Sequence, residues 1–207
     1  MNLSDAASDE ERVGPEPAGH DDKDWTVVIA NGCPECSFIG AGPSQLAGLI
    51  RESIEFWSDA LRRPGATERL HPTVWSPLEY ACHLTDLSHV FHERIDAILT
   101  QETPALANFD GEQAAIDGRY HERGVDQVIE AYADAAEAVA VQFLRVAPDQ
   151  WDRKGRRSDG MVFTLSTLGT YYAHELVHHE FDVRRLQGRV QRWHSGRRHL
   201  APLEGSE

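Results

Sequence analysis

The chain has 207 residues, 41% of them hydrophobic, enough for one domain with a substantial core. Its net charge of −14, with both signs dispersed, argues against nucleic acid and anionic membrane surfaces as partners. No apolar run approaches the ~20 residues of a membrane helix, and the acidic start does not read as a secretory signal, so the expected location is cytoplasmic.

Residues 1–24 are rich in Asp, Glu, Gly and Pro and lack apolar periodicity, so a disordered or extended segment is expected. Residues 25–42 form an extension in which a β-capable run, "DWTVVIANGCPECSFIG", ends in a tight turn at Cys33-Pro34-Glu35-Cys36. A zinc knuckle needs a second ligand pair, which Cys82 alone cannot supply. A redox C-x-x-C normally opens a helix beside a strand. A structural turn, partial metal binding and redox sensing therefore all stay open for Cys33 and Cys36. Three cysteines do not make a disulfide scaffold.

Residues 43–190 read as four amphipathic helices. The first spans about 43–63, with Leu46, Ile50, Trp57 and Leu61 on its apolar stripe, and Pro64-Gly65 stops it. The second opens on Ser76-Pro77-Leu78-Glu79, which places Ser at the N-cap, Pro at N1 and Glu at N3. It continues to about Leu99 through Tyr80, Leu84, Leu87, Phe91, Ile95 and Ile98. Trp75, just before this cap, is expected to staple the helix start. Cys82, about 100° round the helix from its neighbour His83, reads as a small core residue.

The connection over 101–124 is long for antiparallel neighbours and predicts a crossover. The third helix covers about 125–146, and a basic loop, "DRKGRRSDG", leads to the fourth at about 165–187, with Gly188 as C-cap. Residues 191–207 read as an irregular tail. The fold class is all-α, a four-helix bundle, whose cofactor sites usually lie between facing helices.

The chemistry concentrates in "YYAHELVHHEFDV", residues 171–183. His174 and His178 stand one turn apart on one helix face and can share a cation. Read literally, His174-Glu175-Leu176-Val177-His178 is the H-E-x-x-H of zinc peptidases. That reading needs a downstream third ligand. The metzincin positions hold Phe181 and Arg184, and Glu204 and Glu207 lie in the tail, so the confirming context is missing. A ferritin-type di-iron site needs a second Glu-x-x-His, and none falls on a helix. The remaining source is another helix. His83, in the second turn of the second helix, is the best-placed candidate, ahead of His89 and His92.

The stretches "VWSPLEYACHLTDL" and "YYAHELVHHEFDV", separated by a long crossover, resemble the DinB/YfiT-like superfamily of bacterial four-helix-bundle metalloenzymes. The resemblance covers about 43–188, and "DWTVVIANGCPECSF" with "QWDRKGRRSDGMVFTLSTL" is similar to an actinobacterial-type branch. It implies an up-down-down-up helix order. It also implies a three-histidine metal site, one ligand from the second helix and an H-x-x-x-H pair from the fourth, at positions matching His83, His174 and His178. Glu175 would then be an outer partner or a buried ion-pair member.

Three neutral imidazoles leave a divalent cation its full charge and open positions, suited to activating a water or thiol. Such ligation does not choose among zinc, nickel and iron. Superfamily relatives include thiol-dependent S-transferases and a mycothiol-dependent isomerase. The resemblance thus implies a metal-dependent enzyme acting on a small-molecule substrate with a low-molecular-weight thiol such as mycothiol. Arg153, Arg156 and Arg157, with Lys154, are candidates to bind an acidic group. A non-catalytic, stress-associated metal-binding protein is the alternative, and a homodimer is open to the bundle.

Overall fold

The computed structural model describes Ala18 and residues 23–197, with side chains placed as far as Leu186. Most of the segment expected to be disordered, residues 1–24, lies outside the described residues. Asp24 accepts hydrogen bonds from the Thr26 backbone N–H at 3.0 Å and its hydroxyl at 2.6 Å. That cap starts a 3-10 turn, Trp25–Val27, and then α1, Val28–Asn31. The β-capable run is therefore helical. A local cap and the burial of Val28, only 2% exposed, override its β-branched composition.

Gly32 ends α1 at φ 69°, and the Cys33 N–H donates to the Phe38 carbonyl at 2.7 Å, closing the cysteine turn. A Cβ at Gly32 would lie 2.5 Å from the Phe38 carbonyl oxygen, a backbone atom that cannot step aside. Gly32→Ala therefore combines a left-handed φ with a clash. It is expected to cost about 1–3 kcal/mol, read as a lowered urea midpoint. An unchanged midpoint would show that this turn contributes little to folding.

The bundle consists of α2 (Pro43–Leu61), α3 (Pro77–Thr100), α5 (Val125–Leu144) and α6 (Leu165–Arg197). Its core is carried by Leu46, Trp57, Phe91, Tyr132 and Tyr172, all at most 1% exposed. The buried hydroxyls pair across helices, Ser53 with Tyr132 at 2.6 Å and Ser88 with Tyr172 at 2.7 Å. The 101–124 connection is not bare coil: it holds β1 (Ala105–Leu106) and the short α4 (Gly111–Asp117). The basic loop is likewise a hairpin, β2 (Lys154–Arg157) and β3 (Val162–Thr164). Edge pairing gives these residues backbone partners that local composition did not announce.

The small sheet fixes the helix directions. β1 leaves α3 and β2 follows α5, and the two pair in parallel, Ala105 with Arg156, so α3 and α5 end at the same pole. β3 is antiparallel to β2 and runs into α6, which starts at that pole and returns. Ala41, just before α2, accepts from the Thr170 hydroxyl at 2.9 Å, so α2 starts beside the start of α6. The order is up-down-down-up. α6 continues through Arg197, so Gly188 does not cap it and residues 191–197 are helix, not irregular tail. A glycine inside a helix costs only about 1 kcal/mol relative to alanine, too little to end it. Among the described residues, no helix is long and apolar enough to cross a membrane.

Candidate metal centre

α6 presents two rows of ligands, not one. His174 and His178 form the first row. Glu175 and His179, the same spacing displaced by one residue, form the second, turned by about 100°. Their potential ligand atoms fall into two groups, each with all members within 4.8 Å of one another: His83 with Glu175 and His179, and Cys33 with Cys36, His174 and His178. The predicted His83, His174 and His178 all line one cavity, but their ligand atoms fall in different groups. His83, from α3, meets the second row, while His174 and His178 face the N-terminal extension. The reason is the rotation of α6, whose stripe Leu168, Tyr172 and Leu176 is at most 1% exposed and turns Glu175 and His179 toward α3.

The first group lines a cavity of about 500 Å³, whose wall also includes His174 and His178. His83 and His179 meet nearly perpendicular, at 85°, with ring centroids 5.2 Å apart. His179 Nε2 lies 3.5 Å from Glu175 Oε2, and its Nδ1 lies 3.5 Å from Asp182 Oδ2. Trp75 packs 5.1 Å from the His83 ring and Phe109 stacks 5.8 Å from it. Trp75 therefore lines the cavity, beyond stapling the helix start. A Cβ on Gly111 would approach His83 Nδ1 to 2.9 Å, so the bare glycine makes room for this ring.

Burial, with the neighbouring His179, pushes His83 down to about 3, so it is a neutral imidazole at physiological pH. Burial alone would also lower His179, but hydrogen bonding to Asp182 and Glu175 outweighs it and raises this group to about 9. Burial opposes ionisation of Glu175, yet His179 holds it at about 2. Two imidazoles and a carboxylate are a known donor set for catalytic divalent cations. His83 Nδ1, buried without a hydrogen-bond partner, fits one.

Of the predicted substrate-binding arginines, only Arg157 lines the cavity. Arg153 ties the end of α3, donating to the Ile98 and Gln101 carbonyls at 2.7 and 2.6 Å. Arg156 is exposed. Arg94 lines the cavity instead, 6% exposed, with Nη2 donating to the Ala107 carbonyl at 2.7 Å and Nε without a partner. Arg94 and Asp182 carried no sequence signal. His179 did, because Glu175 and His179 repeat the four-residue spacing of the neighbouring pair. Cys82 is a buried thiol whose Sγ approaches the Tyr120 carbonyl at 3.9 Å, as its helix position suggested.

The chain is an up-down-down-up bundle in which a histidine from the second long helix faces candidate ligands from the fourth. A model of the DinB superfamily matches residues 57–181, more than half of the sequence, and the chain belongs to that superfamily. Among solved structures, YfiT from Bacillus subtilis, described as "a probable metal-dependent hydrolase with an unusual four-helix bundle topology", superposes with a TM-score of 0.61 at 17% identity, covering 70% of this chain and 87% of that one. A mycothiol-dependent maleylpyruvate isomerase superposes with a TM-score of 0.53 at 13% identity, covering 69% of this chain and 61% of that one. The chain thus spans less than two thirds of the isomerase. At these identities the likeness is one of fold. No curated protein matches the sequence.

Proposed function

We propose that the protein is a divalent-metal-dependent enzyme acting on a small molecule, with His83, Glu175 and His179 as ligands and a low-molecular-weight thiol as co-substrate. The observation that carries this reading is the convergence of the three side chains on a cavity that also receives Arg94 and Arg157. Zinc, nickel and iron all accept such a donor set. When bound, the cation supplies Lewis-acid polarisation of an oxygen or sulfur donor.

The chain's own residues do the rest. Arg94, with its unpartnered Nε, offers a charge-assisted hydrogen bond to a carboxylate of the thiol or its acceptor. Trp75, Phe109 and Tyr171 give the cavity apolar walls that limit water. Asp182, facing Nδ1 of His179, turns Nε2 toward Glu175. The mycothiol dependence of the isomerase neighbour supports a thiol here, and S-transfer or isomerisation as the reaction class. The grouping of the ligand atoms favours this reading over the peptidase one. The latter needs Glu175 to serve a cation held by His174 and His178, and Glu175 belongs to the other ligand group.

The test is turnover of a carboxylate-bearing electrophile by the purified full chain, supplied in turn with zinc, nickel or ferrous iron, with and without mycothiol. Turnover well above the uncatalysed rate is expected only when thiol and cation are both present. No thiol-dependent turnover with any of the three ions would overturn the enzymatic reading and leave a non-catalytic metal-binding protein.

A further inference from the structure

We propose that Cys33, Cys36, His174 and His178 form a closed tetrahedral zinc site, beside the His83, Glu175 and His179 group at the wall of the same cavity, which staples the N-terminal extension to α6. Each half is a local ligand pair. Cys33-Pro34-Glu35-Cys36 is a C-x-x-C turn held shut by the Cys33–Phe38 backbone bridge, and His174 and His178 are one helical turn apart. The fold brings the halves together across a separation of 145 residues between Cys33 and His178.

The dimensions agree with zinc. Cys33 Sγ lies 3.7 Å from His178 Nδ1. A tetrahedral ion with bonds of about 2.3 Å to sulfur and about 2.0–2.1 Å to nitrogen has S···N edges of about 3.6 Å. All four ligand atoms fit within 4.8 Å, and the cysteines are free thiols. The burial also asks for an occupant. His174 is 1% exposed, and neither ring nitrogen has a hydrogen-bond partner. Buried polar atoms left without a partner are unfavourable, so the ring calls for a ligand.

The surroundings complete the site. Asp182 Oδ2 stands 3.7 Å from Nε2 of His178, the nitrogen turned away from Cys33. Trp25 lies across both rings, with centroids 5.3 Å from His174 and 4.6 Å from His178. On binding, two Zn–S and two Zn–N bonds form and two thiol protons leave, so two thiolates and Zn²⁺ make a neutral buried unit. Four protein ligands leave no open position, which is the mark of a structural site. The thiolates favour zinc over the harder divalent ions.

The experiment is zinc-edge X-ray absorption on the full chain, together with the His179→Ala variant, which removes a cavity ligand. Both are expected to show two sulfur scatterers at about 2.3 Å and nitrogen scatterers at about 2.0–2.1 Å. In Cys33→Ser the two-sulfur shell should vanish, and zinc affinity should fall more than about 100-fold, beyond the effect of losing an outer partner. A wild-type spectrum without sulfur, or a Cys33–Cys36 disulfide in the protein as purified, would overturn the proposal. If Cys33→Ser does not fold, the wild-type spectrum decides alone. The sulfur shell is read without turnover, so its outcome is independent of the proposed reaction.

Discussion

His179→Ala is expected to abolish cation binding in the cavity, with affinity falling more than about 100-fold, and to remove thiol-dependent turnover. The magnitude follows because losing even an outer partner of a ligand costs about 10–100-fold, and His179 is assigned as a ligand itself. Alanine also takes away the imidazole that faces both Glu175 and Asp182. Glu175 then loses the group that holds it near 2, and its carboxyl rises toward the range burial favours. A calorimetric titration with the activating ion, paired with elemental analysis, measures the effect. His174→Ala should instead remove the sulfur-coordinated zinc. The opposite pattern, with His174→Ala stripping the cavity ion and His179→Ala sparing it, would restore the set of His83, His174 and His178.

The largest expected loss of stability comes from Glu79→Ala. Glu79 is 2% exposed and closes the cap of α3, accepting from the Ser76 N–H at 2.8 Å and its hydroxyl at 2.9 Å. Arg69 Nε donates to its two carboxylate oxygens at 3.0 and 2.8 Å. Truncating one member of a buried ion pair costs about 3–5 kcal/mol. The loss is read from urea unfolding of wild type and variant at neutral pH. Burial opposes ionisation of Glu79, but Arg69 and Ser76 outweigh it and hold the carboxyl below its ordinary 4.5. A group with a depressed folded pKa contributes its full stability above the unfolded value and loses it as pH falls through the folded one. The gap between wild type and variant should therefore be widest at neutral pH and close in acid below about 4.5. Equal midpoints at neutral pH would sink the argument. Glu79 lies one turn before His83, so the cap also sets where the α3 ligand stands.

Much of the scaffold was legible because its signals are local. Apolar residues three and four apart marked the four long helices, and Ser76-Pro77-Leu78-Glu79 marked the start of α3 to the residue. The sequence also pointed to α6 and to His83 on α3 as sources of candidate ligands, and these side chains approach one another in the fold. What it could not resolve was the face. Rotating α6 by one residue's turn exchanges the His174/His178 row for the Glu175/His179 row, and that angle is set by packing against neighbours distant in the chain. The same holds for Cys33 and Cys36, whose partners lie on a helix folded back over the extension, and for Arg94, whose place in the cavity depends on the 101–124 crossover. Composition, periodicity and caps determined which elements form; only tertiary contact decided which side chains come within ligand distance of one another, because those distances run across the bundle and spacing along the chain does not encode them.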